Sequence, residues 1–212
     1  MLEAKNWYYS ELLNRVALAL KQNGFQSYVA QSIEDARKRI LELIAFNEKV
    51  GVGGSVTIRE IGVIQELEKR GNVVVHHWIN APTQDISEIR RKEIGCDVFL
   101  TSVNAITYDG KLVCIDGVGN RVVAMIFGPR KVIVVAGKNK LAKSLDEALY
   151  RAKNLAAVMN NKRIGTKNPC ATLGYCVDCK NSERICRVTV ILERNPSETD
   201  YHIILLPLDL GY

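Results

Sequence analysis

Residues 97–140 read DVFLTSVNAITYDGKLVCIDGVGNRVVAMIFGPRKVIVVAGKNK. Two runs in this stretch, 97–102 and 131–136, are near-continuously apolar (Val98–Leu100 and Val132–Ala136) rather than alternating. A strand of that kind is covered on both faces, the mark of a parallel sheet with helices on either side. Between them Asp109-Gly110 is a hairpin turn signal joining 106–108 to 111–115. Residues 120–127 fit helix and strand equally, because periodicity does not separate short apolar runs.

The same alternation extends outward. Tyr8, Leu12, Val16, Ala19 and Leu20 share one face of a helix over 6–23, which Gly24 closes. A short strand follows at 25–30. Ser32 and Asp35 form a variant capping box for a helix with Ile33, Ala36, Ile40, Leu43 and Ile44 on one stripe. A strand at 49–52 leads through Gly53-Gly54-Ser55 into a single helix ending at Arg70-Gly71. Positions 72–78 read as a strand and 85–93 as a short helix. Ser144 with Glu147 caps a helix running to about Met159. Residues 188–193 and 201–206 flank Asn195-Pro196-Ser197 and read as a hairpin. The expectation is an α/β fold: a mainly parallel sheet flanked by helices, with antiparallel hairpin additions, in one domain over 1–212.

Composition narrows the function classes. Apolar residues make up 47% and charged residues 25%, an ordinary soluble balance. The net charge of +6 comes without a Lys/Arg block interleaved with aromatics, so no nucleic-acid partner is expected. No apolar run approaches the ~20 residues of a membrane span. The N-terminus is periodic rather than contiguous in its apolar positions and is interrupted by Glu3 and Glu11, unlike a signal peptide. A cytoplasmic location is expected.

Three segments carry chemistry. In GVGGSVT (51–57), Gly51, Gly53 and Gly54 allow close backbone approach, and Ser55 and Thr57 add hydroxyls for an anion. The segment is neither a Walker loop nor GxGxxG, since positions 75–79 (VHHWI) lack the ribose-binding acid. A tight turn with Ser55 as N-cap is the equal alternative. In 101–121, polar residues recur at strand ends, among them Asn104, Asp116, Asn120 and Arg121. Arg121 either pairs with Asp116 or grips a phosphate or carboxylate with its fork. Within 168–188, Cys170-x5-Cys176-x2-Cys179-x6-Cys186 suits a thiolate site for zinc or an iron–sulfur cluster. Disulfides or free thiols are the alternative. Adjacent His76 and His77 point to opposite faces of a strand, so one is packed, the other exposed, and they do not share an ion.

Taken together, GGSVTIRE (53–60), the 97–140 segment and NPCATLGYCVDCKNSERIC (168–186) resemble the lactate utilisation (LUD) domain family. The resemblance implies the fold of the NagB/RpiA/CoA-transferase-like group. It implies an accessory, redox-linked role in lactate or other organic-acid utilisation: binding a small anionic metabolite beside iron–sulfur partner proteins, as a homodimer by the habit of the fold. Two other readings stand beside it. One is a self-contained enzyme of CoA-transferase or isomerase type on a phosphorylated or carboxylated metabolite, with a perturbed acid at Asp116 or Glu60. The other is a non-catalytic module stapled by zinc or disulfides. The transferase glutamate has no clear counterpart; Glu60 is merely the nearest acid.

Overall fold

A computed structural model describes residues 2–78 and 85–212; position 79 of the VHHWI run lies outside them. The chain opens with α1 (Leu2–Gln22), β1 (Gln26–Val29), α2 (Ile33–Leu43) and β2 (Val50–Val52). It continues through α3 (Val56–Glu60), α4 (Val63–Arg70), β3 (Val74–His76), α5 (Ile86–Ile94) and β4 (Val98–Thr101). Next come β5 (Ala105–Thr107), β6 (Leu112–Asp116), α6 (Asn120–Ile126), β7 (Lys131–Gly137) and β8 (Leu141–Ala142). Then α7 (Leu145–Arg151) passes through a π-helical turn (Ala152–Ala156) into α8 (Ala157–Ile164). The short α9 (Cys170–Leu173), β9 (Val188–Leu192) and β10 (Asp200–Leu206) complete the chain.

Six strands form one all-parallel sheet in the order β1-β10-β7-β4-β2-β3. Alternate residues of β7 enter different cores, as a doubly covered strand requires. Val132 and Val134 pack with Leu13, Val16 and Leu20 of α1 and Met125 of α6. Ile133 and Val135 pack with Ile40 of α2, Ile58 of α3 and Ile64 and Leu67 of α4. A second, mixed sheet runs β8-β5-β6-β9. Its small-residue face, Ala105 and Ala142, packs on Ala148 and Ala152 of the α7–π-turn helix.

Local signals act as expected at several points. Ser32 accepts from the Asp35 N–H at 3.2 Å while Asp35 accepts from Gln31 N at 2.9 Å. Ser144 and Glu147 repeat the arrangement. Asp109-Gly110 turns β5 antiparallel into β6. Three expectations are corrected. Residues 188–193 and 201–206 are not a hairpin: β9 pairs antiparallel with β6 in the second sheet, whereas β10 lies inside the parallel sheet between β1 and β7. Burial explains the separation, because six consecutive residues of β10 are buried and β9 is largely exposed. The helix after the glycine turn breaks in two at Gly62, whose φ of 69° is left-handed. The two histidines are not one packed and one exposed: both side chains are mostly buried, since His77 follows the end of β3 and turns onto Glu93.

Gly51 is fixed by packing. A Cβ there would lie 2.3 Å from the backbone oxygen of Glu93, so α5 rests directly on β2. Gly51→Ala is expected to destabilise the fold by roughly 2–4 kcal/mol by overpacking against backbone, measured by urea unfolding; a loss under ~0.5 kcal/mol would contradict this contact.

Candidate anion site

The carboxyl ends of β2 and β4, the start of α6 and the α8 helix enclose a cleft of about 560 Å³. Open parallel sheets place ligands at this edge. Of the residues singled out by sequence, Gly54, Ser55, Thr57, Asn104, Asp116, Asn120 and Arg121 line it. Gly51 and Gly53 do not: Gly51 faces Glu93, and a Cβ on Gly53 would meet the Phe99 ring at 3.0 Å. Ser55 caps α3, accepting from Ile58 N at 3.3 Å.

Arg121 is committed to the protein. Its Nε donates to Asp116 Oδ2 at 3.2 Å, Nη1 to Ser102 O at 3.1 Å, and Nη2 to Asn104 Oδ1 at 2.9 Å and Ile115 O at 2.5 Å. Asp116 in turn accepts from the backbone N–H groups of Val118 and Gly119. Four of the five guanidinium donors are thereby spent, so the residue shapes the wall more than it reaches for ligand.

The cations available for a ligand are others. Arg59, Arg90, Arg163 and Lys140 all line the cleft, and among the described residues none forms an ion pair with a carboxylate. Arg59 lies over the Trp78 ring at 4.2 Å and Arg163 at 5.7 Å, so one aromatic ring positions both cations. Arg90 Nε is buried with no hydrogen-bond partner among the described residues. Lys140 is only 3% exposed; its ammonium donates to Thr57 Oγ1 at 2.9 Å and Ser102 Oγ at 2.8 Å. Burial, with Arg151 and Arg121 nearby, pushes its pKa down to about 7. Burial also lowers Arg151 to about 10, while that side chain donates to Asn139 O and Asn104 O.

On the opposite wall His77 is held by a carboxylate with zero exposure. Glu93 Oε1 lies 2.6 Å from His77 Nδ1 and accepts from the His77 N–H at 2.8 Å; Glu93 Oε2 is buried without a partner. His77 Nε2 sits beside Gly54, where an added Cβ would come within 3.3 Å of it. Sequence reading did not single out Lys140, Arg59, Arg90, Arg163 or the His77–Glu93 pair as site residues. Lys140 ends a strand-and-turn segment rich in cations, and nothing local distinguishes it from its exposed neighbours. The four cysteines of 168–188 stand apart from the cleft around a second, smaller cavity. All are free thiols, and burial plus the three neighbouring thiols push Cys170 upward.

Lys140 makes stability pH-dependent in a defined direction. Its folded pKa lies below the unfolded value, so between about pH 7 and 10.5 the unfolded chain binds more protons and stability rises with pH. Relative to Lys140→Met, the parent is expected to gain up to about 1.4 kcal/mol per pH unit across that window and nothing below it. Parallel urea titrations at pH 6, 8 and 9 check this; a constant difference would refute the assignment.

Comparison with known proteins agrees with this architecture. The sequence profile of the LUD domain matches residues 13–206. A solved structure of a DUF162 family protein from Deinococcus radiodurans is similar in fold, with a TM-score of 0.55, 14% identity and coverage of 93% of this chain and 97% of that one. The eIF2B delta structure from Chaetomium thermophilum is more distant: TM-score 0.33, 15% identity, 68% of this chain and 57% of that one. No curated protein matches. With the profile spanning nearly the whole sequence, the chain belongs to the LUD domain family.

Proposed function

We propose that the cleft binds a small organic anion, a carboxylate- or phosphate-bearing metabolite, and that the protein serves lactate or other organic-acid utilisation. The observation carrying this reading is the surplus of cations: Arg59, Arg90, Arg163 and Lys140 face one cleft and lack carboxylate partners among the described residues. Unpaired cations at a partly desolvated surface are costly, and an anionic ligand offsets that cost. The arginines supply forked donors for a carboxylate, while Lys140 supplies charge from the floor. The oxidation of the metabolite falls, in this reading, to iron–sulfur partner proteins.

A second reading, catalysis within this chain, is favoured by the His77–Glu93 pair. A histidine whose Nδ1 is held by a buried carboxylate is fixed in ring orientation and tautomer, leaving Nε2 to exchange a proton with a bound ligand. The perturbed group lining this cleft is the base Lys140. Glu60 accepts from the Gly211 N–H at 2.6 Å.

Calorimetric titration with L-lactate, pyruvate and inorganic phosphate tests the first reading. At least one is expected to bind saturably. The Arg59→Ala and Arg163→Ala variants are each expected to weaken it about tenfold, the worth of one charge-assisted contact. Failure of all three probes to bind the parent chain, or unchanged affinity in both variants, would overturn it. His77→Gln separates the second reading: it leaves binding within about twofold but abolishes exchange of the α-proton of bound L-lactate with deuterated solvent. Absence of exchange in the parent would sink catalysis and leave binding intact.

A further inference from the structure

The segment carrying the four clustered cysteines has almost nothing apolar to hold it. From residue 169 to residue 191 no side chain is buried, and Leu173, Tyr175 and Val177 are exposed. The segment is nonetheless tied into one shape. At its start, the amide of buried Asn168 donates to Asn161 Oδ1 at 2.7 Å and Glu183 O at 2.8 Å. Within it, Arg184 donates to Cys179 O, Cys186 O and Asp178 Oδ1. Asp178 also pairs with Lys153 of the π-turn at 2.9 Å. Asp178 is the one non-glycine residue with a left-handed φ among the described residues, at 48°. That turn places its N–H 3.4 Å from Cys176 Sγ, the geometry of an amide donating to a thiolate.

These ties bring the side chains of Cys170, Cys176, Cys179 and Cys186 around one small cavity of about 10 Å³, room for a single atom. Asn168 lines the same cavity, and its Oδ1 is buried with no partner. Residues 160–187 hold six cations against two acids, an excess that four thiolates neutralise. Exposed hydrogen bonds alone are weak support for so long a coreless loop, and small units of this kind are held by a metal or by disulfides. All six cysteines are free thiols here.

We infer that Cys170, Cys176, Cys179 and Cys186 are the four ligands of one thiophilic divalent ion, zinc by its preference for a closed tetrahedral thiolate set. Among the described residues no three histidine, cysteine or acidic side chains stand at coordination distance from a common point, so the ion draws the thiols inward as it binds. The preformed part is the loop: two ends joined by Asn168, and two cysteine carbonyls fixed by Arg184. Ala157 and Ile185 line both this cavity and the anion cleft, so the ion also braces one wall of the cleft. The ligand set stands independently of what the cleft binds.

The test uses the full chain, stripped of metal under reducing conditions, exchanged into zinc and desalted. Metal analysis is expected to give about one zinc per chain. Alkylation with mass spectrometry is expected to find Cys170, Cys176, Cys179 and Cys186 protected with zinc and modified after chelation, a readout needing no variant. Cys179→Ser and Cys186→Ser are each expected to lower retained zinc at least tenfold, whereas Cys96→Ala retains it. Zinc below a tenth of an equivalent with all four thiols alkylated regardless would overturn the site. So would disulfides among the four in freshly purified protein. Iron with labile sulfide in the protein as first purified without oxygen would overturn the single-ion assignment.

Discussion

The Arg121 guanidinium is the tie on which the rest of the site depends. The two sheets meet where β4 ends, β5 begins and β6 ends, and the carbonyls of Ser102 and Ile115 lie at that junction. Arg121 satisfies both and binds Asn104 and Asp116 in the same plane. A lysine has the charge but not the fork to do this. Asp116, held by Arg121, then orders the Gly117–Gly119 turn through two backbone N–H groups, and that turn starts α6. One side chain thus ties the end of β4 to the end of β6, lines the cleft and, through Asp116, holds the turn that starts a helix.

Fixing the junction with cations has an electrostatic consequence. Arg151 bridges Asn139 O and Asn104 O on the other side of the same seam. With Arg121 it surrounds Lys140, which burial already disfavours as a charged group, so the amine titrates near neutrality instead of far above it. Among the described residues, Thr57 and Ser102 supply its only hydrogen bonds, both hydroxyls. Near neutrality Lys140 is thereby close to the point where charged and neutral forms are equally populated. Adding Arg59, Arg90 and Arg163 above it makes the cleft electropositive in a chain whose net charge is only +6. The charge matters by placement rather than by total.

Much of the fold was legible locally. Caps such as Ser32 and Ser144, the Asp109-Gly110 turn and the continuous apolar runs of β4 and β7 act over a few residues, where sequence is informative. What escaped is non-local. The pairing of β9 with β6, and of β10 with β1 and β7, is decided by which surfaces remain uncovered after the helices dock, and adjacency in sequence misled there. Glycines were legible as close approaches but not as to what approaches: helix α5 at Gly51, the Phe99 ring at Gly53, and the His77 ring at Gly54. Likewise Lys140 and the His77–Glu93 pair gain their character only from burial and from partners far away in the chain.

That an anion completes the cationic cleft is the central proposal. It is tested most directly by an NMR titration of the Lys140 side chain, labelled at the ε-carbon, with and without saturating L-lactate, pyruvate or phosphate. In the free protein the amine should titrate at about 7. A bound anion within a few ångströms favours the charged form, so a rise of about one unit or more is expected in at least one of the three complexes. A lysine that titrates near 10.5 in the free protein, or one whose midpoint is unmoved by all three anions at saturation, would contradict it.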